Sequence, residues 1–250
     1  MQQKLHTNFV RWITLALILF LIVCIFLLYN LSVLPPKKSF STFASSICIV
    51  DYNSQNRLTV ILDAGHGGID SGAQSANGIK EKDLNLIICQ KISKYLSCFD
   101  LNVVLTRTGD ELPNLVDGST RKQGEILSRI KIAEENKADI FLSVHMNSFP
   151  LSECKGAQVF YSNKNKENEV FALTLQESVR TLIDPLNNRQ AKNSNLIFLL
   201  SHLKIPAALL ECGFLTNAEE LNLLQNETFQ NKFSFAIAVA IADYLENSSN

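Results

Sequence analysis

The stretch Val60-Ile61-Leu62-Asp63-Ala64-Gly65-His66-Gly67-Gly68 decides how this chain reads, because a short apolar run stops abruptly at a histidine set between glycines. β-Branched residues and leucine predict a buried strand, and glycine on both sides of His66 lets the backbone turn sharply while leaving the imidazole uncrowded. The arrangement recurs in Asp139-Ile140-Phe141-Leu142-Ser143-Val144-His145 and in Ala207-Ala208-Leu209-Leu210-Glu211. Three apolar strands are thus expected each to end in a side chain able to bind a metal. One histidine after a strand is ordinarily a turn residue, but three such endings share a destination. In open α/β sheets the ligand crevice lies beyond the carboxyl ends of the parallel strands, so His66, His145 and Glu211 would converge there.

Between the first two strands, Gly78-Ile79-Lys80-Glu81-Lys82-Asp83-Leu84 places a carboxylate where a helical pattern begins. Leu84, Ile88, Ile92, Tyr95, Leu96 and Phe99 follow at helical spacing, predicting an amphipathic helix over 81–99. On spacing alone Glu81 is equally a metal ligand or a first-turn acid complementing the helix dipole. Two histidines, one carboxylate and an open fourth position make the usual catalytic zinc set, with a further carboxylate available as general base.

Further strands are expected at 102–106 and 157–161, and helices at 119–136, 171–183 and 229–245. On the helix at 119–136, Ile126, Leu127, Ile130 and Ala133 form the expected inner face. The run at 196–200 fits a strand or a helix equally. Strands alternating with helices of this length predict an α/β fold: a mainly parallel twisted sheet with helices on both faces.

With 23 Lys and Arg against 24 Asp and Glu among 250 residues, the chain carries no basic field of the kind that nucleic acid binding needs. Residues 12–28 are almost wholly apolar and the run continues less purely to 34, enough to cross a hydrocarbon core of about 30 Å as a helix. Thr42-Phe43-Ala44 is a poor cleavage site far downstream, so an uncleaved transmembrane anchor is expected. The chain then divides into a tail and anchor at 1–34, a linker at 35–57 opened by Pro35 and Pro36, and one domain over 58–250. A small edge strand is expected at 47–50. Lys4 and Arg11 before the span are balanced by Lys37 and Lys38 after it, so charge leaves the orientation open.

The six cysteines do not read as a disulfide framework. Cys24 lies in the apolar span, and Cys89 and Cys98 fall on nearly opposite faces of one expected helix. Cys212 reads as a small core residue. Dinucleotide binding is not expected, because the third glycine of a GxGxxG fingerprint would fall at Asp70. A serine hydrolase is disfavoured by the absence of a GxSxG elbow.

The segments LDAGHGG, GIKEKDLNL, TRTGDE, ADIFLSVHMNS and PAALLECGFLTN occur in that order. As an ordered set they resemble the zinc-dependent N-acetylmuramoyl-L-alanine amidases of the amidase_3 family, from Thr59 to the C-terminus. The layout of one membrane segment followed by one catalytic domain is similar to that of the cell-wall amidases of spore formers. The resemblance implies Zn2+ held by His66, Glu81 and His145, with Glu211 as general base and Asp63 and Asn147 as supports. It implies peptidoglycan as substrate, cut between N-acetylmuramic acid and L-alanine. The domain would then stand outside the cell membrane, held there by the N-terminal helix and open to control by a regulatory protein partner. Some relatives carry a long insertion that plugs the zinc site, and the short interval between His145 and Tyr161 leaves no room for one there. The alternative enzyme is a zinc peptidase cutting within the stem peptide. A catalytically dead wall-binding module would be expected to have lost a ligand or the base, and all four positions are filled.

Overall fold

The strand β1 (Thr59–Ala64) is buried along its whole length, as a continuous apolar run requires when both faces of a sheet are covered. In the computed structural model, which describes residues 57–112 and 120–248, it lies inside a six-stranded sheet. The others are β2 (Asn102–Leu105), β3 (Ile140–Asn147), β4 (Gln158–Tyr161), β5 (Lys192–Asn193) and β6 (Ala207–Phe214), in the spatial order β2-β1-β3-β6-β4-β5. The helices are α1 (Glu81–Leu96), α2 (Arg121–Glu135), α3 (Lys166–Leu182), α4 (Phe198–His202), α5 (Ala218–Gln225) and α6 (Glu227–Ser248). The expected anchor, linker and edge strand at 47–50 lie outside the described residues. Among the described residues no helix is long and apolar enough to cross a membrane.

Side chains alternate across the pleat, so one strand feeds two cores. Val60, Leu62 and Ala64 of β1 join Ile140, Leu142 and Val144 of β3 in a core with α1, α3 and α6. Ile61 and Phe141 point the other way, against Ile130 and Ala133 of α2 and Leu199 and Leu200 of α4. Helices therefore cover both faces, as the alternating pattern predicts.

The sheet is mixed rather than purely parallel. β1 pairs in parallel with β2 and β3, β3 with β6, and β4 with β5, but β4 runs antiparallel to β6. A parallel return needs a crossover of about a dozen residues or more, usually a helix. Only residues 148–157 join β3 to β4, and they hold no helix. Two strands are also longer than their apolar runs: β3 continues past His145 to Asn147, and β6 past Glu211 to Phe214. The ligand candidates therefore lie within these strands, not at their ends. The run at 196–200 resolves into the short helix α4, and α3 begins at Lys166, where the Asn165 side chain caps the Glu167 N–H.

Beneath the carboxyl ends of the strands sits a fully buried carboxylate, Asp63. It accepts hydrogen bonds from Thr106 Oγ1 just past β2 (2.7 Å), Ser143 Oγ of β3 (2.6 Å) and Arg129 Nε of α2 (2.8 Å). Burial alone would raise its pKa, but the Arg129 charge and the two hydroxyls outweigh burial and hold Asp63 below the usual carboxylate range. The stability this group contributes is therefore present above the ordinary carboxylate pKa and lost as pH falls through the lower folded value. Asp63→Ala strands a buried guanidinium. A cost of about 3–5 kcal/mol is expected, read as a drop in the urea unfolding midpoint together with a shallower loss of stability in acid. An unchanged midpoint would show that the network is not what holds these elements together.

Candidate metal centre

His66 lies two residues beyond β1 in the left-handed region, at φ 63°, followed by Gly67 and Gly68 at φ 140° and 52°. Left-handed backbone is uncommon for a residue with a Cβ, so the surroundings must impose it. Two paired backbone hydrogen bonds between Gly67 and Asp70, both 2.9 Å, close the turn. Buried Arg107 donates to Ala64 O, Gly65 O, Lys82 O and Gly109 O at 2.7–3.1 Å, tying the end of β1 to the start of α1. Lys82 Nζ reaches Gly68 O (2.6 Å) and Asp110 (2.7 Å) on the outer side of the loop. Asp70 Oδ2 lies 2.7 Å from His66 Nδ1, which turns the ring so that Nε2 faces Glu81 Oε1 at 3.2 Å.

Glu81 is the first residue of α1, yet it is 4% exposed and turned inward. Its Oε2 accepts from Ala73 N (2.8 Å) and its Oε1 from Met146 N (3.2 Å), while His145 Nδ1 lies 2.9 Å from Oε1. Glu81 is thus no solvated first-turn acid of a helix dipole: its carboxylate meets two imidazoles. One donor atom from each of His66, Glu81 and His145 lies within 4.8 Å of the other two. A tetrahedral zinc about 2.1 Å from each donor sets donors about 3.4 Å apart, close to the separations from Glu81 to the two rings, so these residues fit such an ion.

His145 and Glu211 are register partners on adjacent strands, so their side chains share a face. Glu211 Oε2 is buried and has no hydrogen-bond partner among the described residues. Burial pushes the Glu211 pKa up to about 7 against the pull of His145. For His66 burial works downward, but the hydrogen bond and charge of Glu81, then those of Asp70, raise it to about 9. Glu81 is held far below the carboxylate range, because the two histidines outweigh its burial. These directions follow from protein charges alone.

All four side chains expected from the sequence are brought together. Asp63 supports them indirectly, through Arg129, whose Nη2 donates to His66 O at 3.1 Å. Asn147 enters through its backbone, accepting from Leu215 N at 2.8 Å. Asp70, Arg107 and Arg129 were not legible as site residues; Asp70 stands in a segment that reads as plain loop. Beside the histidines a cleft of about 170 Å³ opens between α2 and α4, lined in part by Lys122, Ile126 and Phe198.

Two imidazoles and a carboxylate around an open position, with a second carboxylate beside them, define the class: a candidate metallohydrolase on an α/β sheet. Residues 60–243 match the family Amidase_3, N-acetylmuramoyl-L-alanine amidase. The chain is 34% identical over 188 residues to the germination-specific N-acetylmuramoyl-L-alanine amidase of Bacillus subtilis (strain 168), covering 74% of this chain and 78% of that protein. It is 29% identical over 234 residues to the amidase AmiA of Escherichia coli (strain K12), covering 76% and 77%. Among solved structures it is similar to the CwlD amidase from Clostridioides difficile in complex with the GerS lipoprotein. There the TM-score is 0.72 at 37% identity, over 76% of this chain and 100% of that one. The chain belongs to the Amidase_3 family, and its activity is hydrolysis of the amide between N-acetylmuramic acid and L-alanine in peptidoglycan.

Backbone, not side chain, walls the site from behind. A Cβ added at Gly65 would stand 2.2 Å from His145 Cε1, so the ring would have to move. Gly65→Ala is expected to lower turnover on peptidoglycan by about 10²-fold, the effect of displacing one active group by an ångström. Turnover measured beside a melting curve checks this, and wild-type turnover would show that the ring has freedom the packing denies it.

Proposed function

We propose that His66, Glu81 and His145 hold Zn2+ and that Glu211 is the general base of the amidase. The observation that carries the reading is the buried, unpartnered Glu211 Oε2 beside three converging donor atoms. An isolated buried carboxylate oxygen costs free energy, and a proton-transfer role gives it a reason to be there. When bound, zinc supplies positive charge that polarises the scissile carbonyl and acidifies water. Glu211 takes the proton from the attacking water and passes it to the departing L-alanine nitrogen. Asp70 holds the Nδ1 side of His66, leaving Nε2 as its donor, and Ala73 and Met146 N–H groups fix the Glu81 carboxylate.

Similarity to the germination-specific amidase and to CwlD supports a role in the spore cortex. That the CwlD structure includes the GerS lipoprotein supports a protein partner for this chain as well. The apolar run at 12–34 supports a single-pass anchor with the domain on the outer side, where peptidoglycan lies. Fractionating cells that express the full chain and sizing the product tests the anchor. A soluble mature protein beginning after about residue 44 would end that reading.

His145→Ala is expected to abolish zinc binding and Glu81→Gln to weaken it, because three protein ligands leave no redundancy. Metal analysis of each purified variant decides, and full occupancy in His145→Ala would mean a different ligand set. Glu211→Gln keeps shape but cannot accept the proton, so hydrolysis should fall by about 10² to 10⁴ with zinc content and melting temperature nearly unchanged. Near-normal turnover would remove Glu211 as the base, and loss of zinc would make it a ligand. Mass spectrometry of the released ends separates amidase products from those of cleavage within the stem peptide.

A further inference from the structure

Gln158 of β4 stands directly opposite Glu211 of β6 in the one antiparallel pairing of the sheet. Opposed residues in such a ladder point to the same face with Cβ atoms about 5 Å apart. The Gln158 carboxamide oxygen accepts a hydrogen bond from Arg189 Nη1 at 2.9 Å. A guanidinium therefore stands one side chain away from the proposed base.

Arg189 is held in place before any ligand arrives. Its Nε donates to Lys155 O at 2.7 Å, and its Cζ lies 4.7 Å from the centroid of the buried Phe214 ring. These contacts leave Nη2 without a hydrogen bond, and Arg189 has no ion pair, among the described residues. Glu220, a carboxylate on which the Arg189 charge acts, is already taken up by the N–H groups of Gly156 (2.8 Å) and Phe214 (2.7 Å). Arg189 is half-buried, so part of its side chain stays open to solvent. A rigid, stacked guanidinium with an unused edge is the usual partner of a planar carboxylate.

The substrate offers such a group on one side of the scissile bond only. On the sugar side the lactyl carboxyl of muramic acid is consumed in the amide being cut. On the peptide side, L-alanine is followed by D-glutamate, which continues the chain through its side-chain carboxyl and leaves its α-carboxylate free. Two extended residues span about 7 Å, and neighbouring strands lie about 5 Å apart, so the second residue reaches from β6 to the Gln158 side of β4.

We propose that Arg189 anchors the free α-carboxylate of the second stem-peptide residue and so makes the enzyme discriminate between stem peptides that carry this charge and stem peptides amidated there. The inference rests on the amidase reading of the Glu211 site and adds a specificity determinant to it. A carboxamide at that position keeps shape but loses the charge-assisted hydrogen bond.

The test uses the full chain loaded with zinc and two substrates, N-acetylmuramoyl-L-alanyl-D-glutamate and its D-isoglutamine counterpart. Wild type should show a KM about tenfold lower for the acid, with similar kcat, as expected for one hydrogen bond to a charged group. R189Q should erase the difference by bringing the acid to the level of the amide, and R189K should retain part of it. Equal KM values in wild type would overturn the proposal without any variant. A parallel loss on both substrates in R189Q would equally overturn it, leaving Arg189 as a clamp on Lys155 and Gln158. Competition by free L-Ala-D-Glu against L-Ala-D-isoglutamine scores the anchor wherever the cut falls, with stronger inhibition by the acid expected and equal inhibition contrary to it. Product masses separately score the amidase reading.

Discussion

The site rests on a charge kept out of water. Asp63 has no solvent contact, so its carboxylate is tolerable only while Thr106, Ser143 and Arg129 all donate to it. Those three donors come from beyond β2, from β3 and from α2, and satisfying one carboxylate therefore fixes three elements relative to β1. Arg129 then hands the constraint on, bonding the carbonyl of His66 as well as that of Glu125 in its own helix. Arg107 does the same for the carbonyls of Ala64 and Gly65. Where β1 leaves the sheet its backbone loses ladder partners, and buried carbonyls need replacements. Two guanidiniums supply them, and a histidine is held in a backbone state it would otherwise avoid.

From this base the four candidate side chains are collected from positions 66, 81, 145 and 211. A loop, a helix start and two central strands each contribute one. None is close to another in sequence, and the sheet's register brings His145 and Glu211 side by side. The proposed base therefore approaches from a strand while the proposed ligands come from three separate elements. Removing the carboxylate of Glu211 leaves the contacts among the other three intact, which is why its proposed role can be separated from the proposed metal binding.

The strands were legible because strands buried on both faces appear in sequence as continuous apolar runs, and the residue that breaks each run is conspicuous. Runs do not mark where pairing stops, so β3 and β6 continue past His145 and Glu211. Strand direction is also invisible in composition: β4 reads like any other short strand and turns out antiparallel. The helix α5 was overlooked although Asn217 and Glu220 stand at capping distance, with the Asn217 side chain accepting from the Glu220 N–H. Arg129 was hidden for a physical reason. In an amphipathic helix an arginine belongs by default to the solvated face, and nothing local announces the carboxylate across the core that draws it in. Ile126 and Leu127, expected on the inner face, are only partly buried, while Glu125, Ser128 and Arg129 are buried beside Ile130 and Ala133. Arg107 and Asp70 escape for the same reason, because their partners are backbone atoms and a ring that only the fold assembles.

The glycines behind the donors have a consequence for which ion the proposed ligands would accept. A side chain at Gly72 would come within 2.6 Å of both Glu81 Oε2 and His66 Cδ2, as one at Gly65 would crowd His145. Main chain thus presses against the proposed ligands from the rear, and at Gly65 it is pinned by Arg107 on one side and by Val144 of the sheet on the other. The donors cannot retreat to widen the opening. Calcium seeks six to eight oxygens at about 2.3–2.6 Å in an adaptable shell, whereas a small ion content with four ligands suits an aperture of fixed width. For the proposed metal, selection by radius would be written into glycine positions that never touch the ion.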